Sequence, residues 1–176
     1  MPKKFIMFSY KIPNTPSKNK VALWRALKEI GVAYLGHGVA LLPFKADLLK
    51  TINVLKETTI NNGGKASIGE LTFSDSEDEK SIILEFNKLR DDEYNEFVKE
   101  CEKLIFEIDW VIQNEKLTFS EMEEDEEELA KLTHWYEKIQ KRDYFKTSTN
   151  ETAIKALKRA EQKLKEYSKL VYKKEN

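Results

Sequence analysis

The chain has 176 residues, 40% of them hydrophobic, with 30 Lys+Arg against 31 Asp+Glu for a net charge of -1. That length and apolar content suit one domain, or a small domain with a helical extension, and exclude global disorder. No apolar run is long enough to span a bilayer, and a single cysteine excludes an internal disulfide and a Cys-based zinc site, as expected of a cytoplasmic protein.

Residues 5–12 (FIMFSYKI) form an apolar run that ends before Pro13 and reads as a buried strand. Asn14-Thr15-Pro16-Ser17 reads as a turn with Ser17 as helix N-cap. Over 18–30 the spacing of Leu23, Ala26, Leu27 and Ile30 predicts an amphipathic helix, with Lys18, Arg25 and Lys28 pointing away from the apolar stripe. Gly31 is a natural stop. Residues 32–35 and 39–44 read as strands around the turn Gly36-His37-Gly38, with Pro43 at an edge or a strand end. Residues 46–60 read as a second helix closed by Asn61-Asn62-Gly63-Gly64, and 65–73 as a fourth strand. The order βαββαβ is the ferredoxin-like arrangement, an α+β fold with both helices on one face of an antiparallel sheet. The other face is left for the rest of the chain to cover.

That remainder reads as helical, as a hairpin or bundle packed on the core or pairing two subunits. From Tyr94 the apolar positions fall at 94, 97, 101, 104, 108 and 111, while Ile82, Phe86 and Leu89 run in another register, so a break or kink is expected near Asp91-Asp92. A second stripe covers 128–141, and a third runs through Ala153, Leu157, Ala160, Leu164, Tyr167 and Val171 behind a cap at Thr149 or Asn150. The expected division is 1–75 for the α+β domain and 76–176 for the helical extension.

Charge is unevenly placed: residues 1–73 carry net +7, 74–128 net -15 and 129–176 net +7. Such blocks attract one another, within the chain or across a dimer, as well as outside partners. No phosphate loop, dinucleotide fingerprint or HExxH is present. His37 reads as a turn residue, His134 as a helix-surface residue and Cys101 as a buried thiol. The acidic run EMEEDEEE at 121–128 lacks the glycine of a calcium loop and reads as a solvated helix start. Catalytic residues, metal ligands and cofactors are therefore not expected. Lys3 and Lys4 flank a denser basic cluster, Lys11, Lys18, Lys20, Arg25 and Lys28, with Tyr10 and Trp24 interleaved. Basic residues among aromatics suit phosphate contact and base stacking, or a small oxyanion.

Several segments resemble one family. Tyr10-Lys11-Ile12-Pro13, Trp24-Arg25, Gly38-Val39 and Leu42-Pro43 resemble the N-terminal domain of ChrB-type chromate-resistance proteins. So do Phe86-Asn87, Arg90-Asp91-Asp92-Glu93-Tyr94, Leu117-Thr118-Phe119 and Arg142-Asp143-Tyr144-Phe145. The resemblance implies a cytoplasmic, chromate-responsive regulator with a ferredoxin-like core, similar to PaaX-type regulators and small CRISPR-associated endonucleases. It also implies a further C-terminal domain in full-length members, so the expectation here is a stand-alone form. The related nucleases carry a metal-binding aspartate at the end of the first strand. Here that region is Ser9-Tyr10-Lys11, which does not suit a divalent metal. The expected function is a non-enzymatic regulatory protein of chromate resistance, binding DNA or an oxyanion through Lys11, Lys18, Lys20, Arg25, Lys28, Tyr10 and Trp24. The alternatives are a homodimeric interaction module and, behind it, a ferredoxin-like nuclease relative. No membrane partner is expected.

Overall fold

The computed structural model describes residues 1–176. The elements in order are β1 (Phe5–Lys11), α1 (Ser17–Ile30), β2 (Ala33–Gly36), β3 (Val39–Pro43), α2 (Ala46–Asn61), β4 (Lys65–Leu71), α3 (Ser76–Gln113), α4 (Phe119–Lys141) and α5 (Thr149–Glu175). They form two compact units, Met1–Phe86 and Asn87–Asn176, so the first turns of α3 belong with the sheet.

In the first unit the four strands lie in the order β2-β3-β1-β4, with every pairing antiparallel. This is the expected ferredoxin-like α+β arrangement. Directly paired residues share a face of the sheet. Ile6 pairs with Leu42 and Phe8 with Ala40, and all four are buried. Phe5 and Leu41 lie on the opposite face and are buried too. Both faces of the sheet are covered at this end, which is why β1 begins as a continuous apolar run rather than an alternating one. Phe86 of α3 stacks on Phe5 at 6.4 Å and Phe73 meets it edge-on at 5.8 Å. Toward the other end of the sheet Lys65 and Ser67 are exposed.

Two glycines fix the chain path. Gly31 caps α1 at φ 79, and its N–H donates to Leu27 O and Lys28 O. At Gly38, φ is 72 and a Cβ would lie 2.5 Å from the Tyr10 carbonyl oxygen; the Gly38 carbonyl in turn accepts from Tyr10 N–H at 2.8 Å. A side chain at Gly38 would push β1 and the β2–β3 turn apart.

The second unit is a three-helix core. Tyr94, Phe97, Cys101, Leu104, Ile108 and Val111 of α3 pack with Met122, Leu132, Tyr136 and Ile139 of α4 and with Ala153, Leu157, Ala160, Leu164, Tyr167 and Val171 of α5. All three sequence stripes are core stripes.

Three local expectations are corrected. Ser17 is the first helical residue of α1, behind Pro16, and makes no capping bond. α3 does not break at Asp91-Asp92 but runs unbroken from Ser76 to Gln113. Its change of register marks a change of core: Ile82 and Phe86 are buried in the sheet unit, and positions 94–111 in the helical one. As expected, the acidic run opens in the first turn of a helix: α4 begins at Phe119, and Thr118 caps it by accepting a hydrogen bond from Glu121 N–H at 3.3 Å. Thr149 and Asn150 do not cap α5; Ser148 holds that position, and both neighbours reach other helices.

Candidate nucleic-acid or anion interface

At 100° per residue, Lys18, Arg25 and Lys28 fall within about 80° of arc on the outer side of α1. Leu23 and Leu27 bury the inner side, which fixes that outward direction. All three cations are exposed, and none has an ion-pair partner. Trp24 sits beside them, half out of the surface at 52% exposure, with Lys28 Nζ 5.2 Å from its ring centroid. A cation resting on an exposed indole leaves both the charge and the other ring face open.

The remaining candidates are placed differently. Lys20 lies about 140° around the helix from Arg25, and its Nζ donates to Asn14 Oδ1 at 2.7 Å. Lys11 is exposed at the end of β1, paired in register with Lys65. Tyr10 belongs to the sheet: its ring stacks on Phe8 at 5.1 Å. Its hydroxyl hydrogen-bonds that of Tyr34, whose own ionisation is pushed up first by burial and then by Tyr10. The structure thus gathers Lys18, Arg25, Lys28 and Trp24 on one arc and sets Lys11, Lys20 and Tyr10 apart from it.

The second unit holds a polar cluster that sequence reading missed. Glu93 is the centre. Arg90 Nε lies 2.9 Å from Glu93 Oε2, Arg142 Nε donates to the same oxygen at 3.1 Å, and Arg142 Nη2 pairs with Oε1. Arg90 Nη1 also donates to Arg142 O at 3.3 Å. Around this pair Tyr94 OH donates to Asp143 Oδ2 at 3.1 Å. Thr149 Oγ1 donates to Asp91 Oδ1 at 2.6 Å, and Thr147 Oγ1 donates to the same oxygen. Burial lowers the Arg90 pKa from its usual value while Glu93 opposes the shift, and Tyr94 is pushed up by burial and then by Asp143. Two arginines against three carboxylates leave no excess positive charge, so the cluster does not suit a free anion. It ties the α4–α5 connection to α3. The signal was present in Arg90-Asp91-Asp92-Glu93-Tyr94 and Arg142-Asp143, two segments about fifty residues apart that only the fold brings together.

Between α3 and α4 runs an acidic groove of about 380 Å³ lined by Glu100, Glu107, Glu124, Asp125, Glu127 and Glu128, with Lys103 and Lys131 at its sides. Burial, then Glu107, Glu121 and Glu124, push the Asp125 carboxyl up to about 6. No group of three or more His, Cys, Asp or Glu is arranged to hold a metal ion, and no helix is long and apolar enough to cross a membrane.

The family model described as Protein ChrB, N-terminal, matches residues 20–176. The chain belongs to the ChrB N-terminal family. The match takes in Trp24, Arg25 and Lys28, the polar cluster around Glu93 and all of the second unit, while Tyr10, Lys11 and Lys18 precede it. No curated protein and no solved structure matches the chain.

Proposed function

We propose that this ChrB-family chain is a non-enzymatic regulatory protein of chromate resistance that binds DNA, or responds to an oxyanion, through the outer face of α1. The observation that carries the reading is the arc of Lys18, Arg25 and Lys28 around the exposed Trp24. Each cation reaching a phosphate adds about 0.9 to the log–log slope of affinity against salt. The test is fluorescence anisotropy with labelled duplex from the chain's own upstream region, at two salt concentrations, with and without chromate. Binding that weakens with salt, weakens again with chromate and is lost in Lys18→Glu/Arg25→Glu supports the reading. Binding that ignores both salt and the charge reversal overturns it.

A second reading, a homodimeric interaction module, is favoured by Phe106 and Trp110. They lie one turn apart on α3, 71% and 46% exposed, on the side opposite the core positions Leu104 and Ile108. Sedimentation equilibrium separates the two readings: a dimer that Phe106→Ser dissociates favours the module.

A further inference from the structure

The outer face of α5 is a lysine ridge. Its inner face is fixed in the core by Ala153, Ala156, Leu157, Ala160, Leu164, Tyr167 and Val171. Opposite those residues, Lys155, Lys158, Lys165, Lys169 and Lys173 fall within about 80° of arc at 100° per residue. All five are exposed. The one other residue on that arc between Lys155 and Lys173 is Gln162. Exposed helices ordinarily offset lysines with carboxylates three or four positions away. Here Glu151 lies four residues before Lys155 on the same arc, and Glu161 and Glu166 stand three or four positions from Lys158, Lys165 and Lys169 just outside it, yet none of them pairs with a ridge lysine; Glu166 is engaged by Gln162 at 3.1 Å and by Lys163 at 3.9 Å. The ion pairs of α5 lie on its flank toward α3, where Arg159 meets Glu102 at 3.8 Å and Lys163 meets Asp109 at 2.8 Å. None of the five ridge lysines takes part.

We propose that this ridge is a phosphate-contacting surface for duplex nucleic acid. The inference rests on the DNA-binding half of the reading above, but it assigns a separate surface in the other unit. Three features select a polyanion. The ridge is convex and carries about one cation per turn, so it offers no enclosure for a small oxyanion. From Lys155 to Lys173 it spans about 27 Å at 1.5 Å per residue, and a duplex presents about one charge per 1.7 Å over that length. The cations are lysines, point charges without the planar fork that reads guanine edges, so the contact is to backbone and carries no sequence preference of its own. The competing occupant is the acidic α3–α4 groove of a second copy. In a three-helix unit that groove lies across the core from the outer arc of α5. One copy's ridge in another's groove is then a head-to-tail contact that does not close on itself, and Lys103 and Lys131 in the groove would oppose it. The same placement keeps the acidic groove away from a polyanion bound on α5.

The test uses the full chain and a labelled random-sequence duplex of about 20 base pairs, titrated across a salt series. Lys158→Gln/Lys165→Gln/Lys169→Gln should flatten the log–log slope by about 2 to 3 and weaken binding at low salt by at least about tenfold. The matching triple Lys→Arg variant should keep the wild-type slope, and circular dichroism melts of both variants should overlay on wild type. A Gln variant with the wild-type slope overturns the proposal. If Lys18→Gln/Arg25→Gln alone flattens the slope, the α1 reading survives and the α5 assignment does not. Absence of wild-type binding at low salt overturns both the α5 assignment and the DNA-binding half of the α1 reading. Salt-sensitive self-association of the protein alone, abolished by the Gln variant with no change in DNA binding, gives the ridge to a second copy and overturns the assignment to nucleic acid.

Discussion

The two units set the position of their elements by different means. In the sheet unit the one buried polar side chain is Thr59, whose hydroxyl donates to Leu55 O within its own helix at 2.7 Å. In the helical unit it is Arg90, in a cluster that crosses from α3 to the α4–α5 connection. The contrast has a physical origin. A strand slipped by one residue turns every side chain to the wrong face, so burial of the apolar side chains of β1 and β3 specifies the observed register without a buried polar contact. Helices packed through Leu, Ile and Ala can rotate or slide at small cost, and a buried polar contact is a known way to select one arrangement.

Substitutions at three positions probe that contrast. Glu93→Gln should have the largest effect, because it leaves buried Arg90 and partly buried Arg142 without their shared counter-charge. Breaking a buried pair on one side costs about 3 kcal/mol. In urea unfolding followed by hydrogen exchange, the loss should appear in the amides of α3 to α5 beyond residue 87. A uniform loss across the sheet strands would break the contrast.

Asp125→Asn should act next, in the stabilising direction. Its carboxyl titrates at about 6 in the folded chain against a usual 3.8, with burial first and Glu107, Glu121 and Glu124 behind it. The folded state then holds more protons than the unfolded state between those values, so stability falls as pH rises through that window. At neutral pH the substitution should add about 1 kcal/mol, after allowance for solvent screening of a half-buried group. Melts at pH 4 and pH 7 should show a gain only at the higher pH; a gain at both would assign the effect to something other than ionisation.

Thr59→Val should be the smallest. It keeps the shape and removes one hydrogen bond whose acceptor remains in the helix ladder, so a loss below about 1 kcal/mol is expected. A larger loss in a thermal melt would mean that the sheet unit also relies on a buried polar contact.

The particular residues explain what the sequence made legible. The apolar run of β1, the glycines at 31, 36 and 38, and the stripes of α3 and α5 announced the βαββαβ order and the bundle, because each is a local pattern with a local cause. The continuity of α3 was hidden because a helix that serves two cores changes stripe where it changes partner, which reads in one dimension as an interruption. The acidic run announced the start of α4, while its cap at Thr118 went unread because it lies three residues ahead of the run. The basic cluster was legible as composition. Its division into an outward arc with Trp24 and a separate Tyr10 was not, because Tyr10 is held by Phe8 on its own strand and by Tyr34 of β2. Arg90 and Glu93 stand three residues apart on α3, and only the fold brings Arg142 in to complete the cluster.

The single thiol offers a clock for the helical unit. Cys101 lies at 0% exposure among the α3 core residues, and burial pushes its ionisation up to about 11. At neutral pH it is closed to a labelling reagent twice over, by packing and by protonation. Its modification therefore waits for the helices to separate, and the rate at which a disulfide reagent titrates this one sulfur reports how often that unit opens. With no second thiol in the chain the trace has a single phase to interpret.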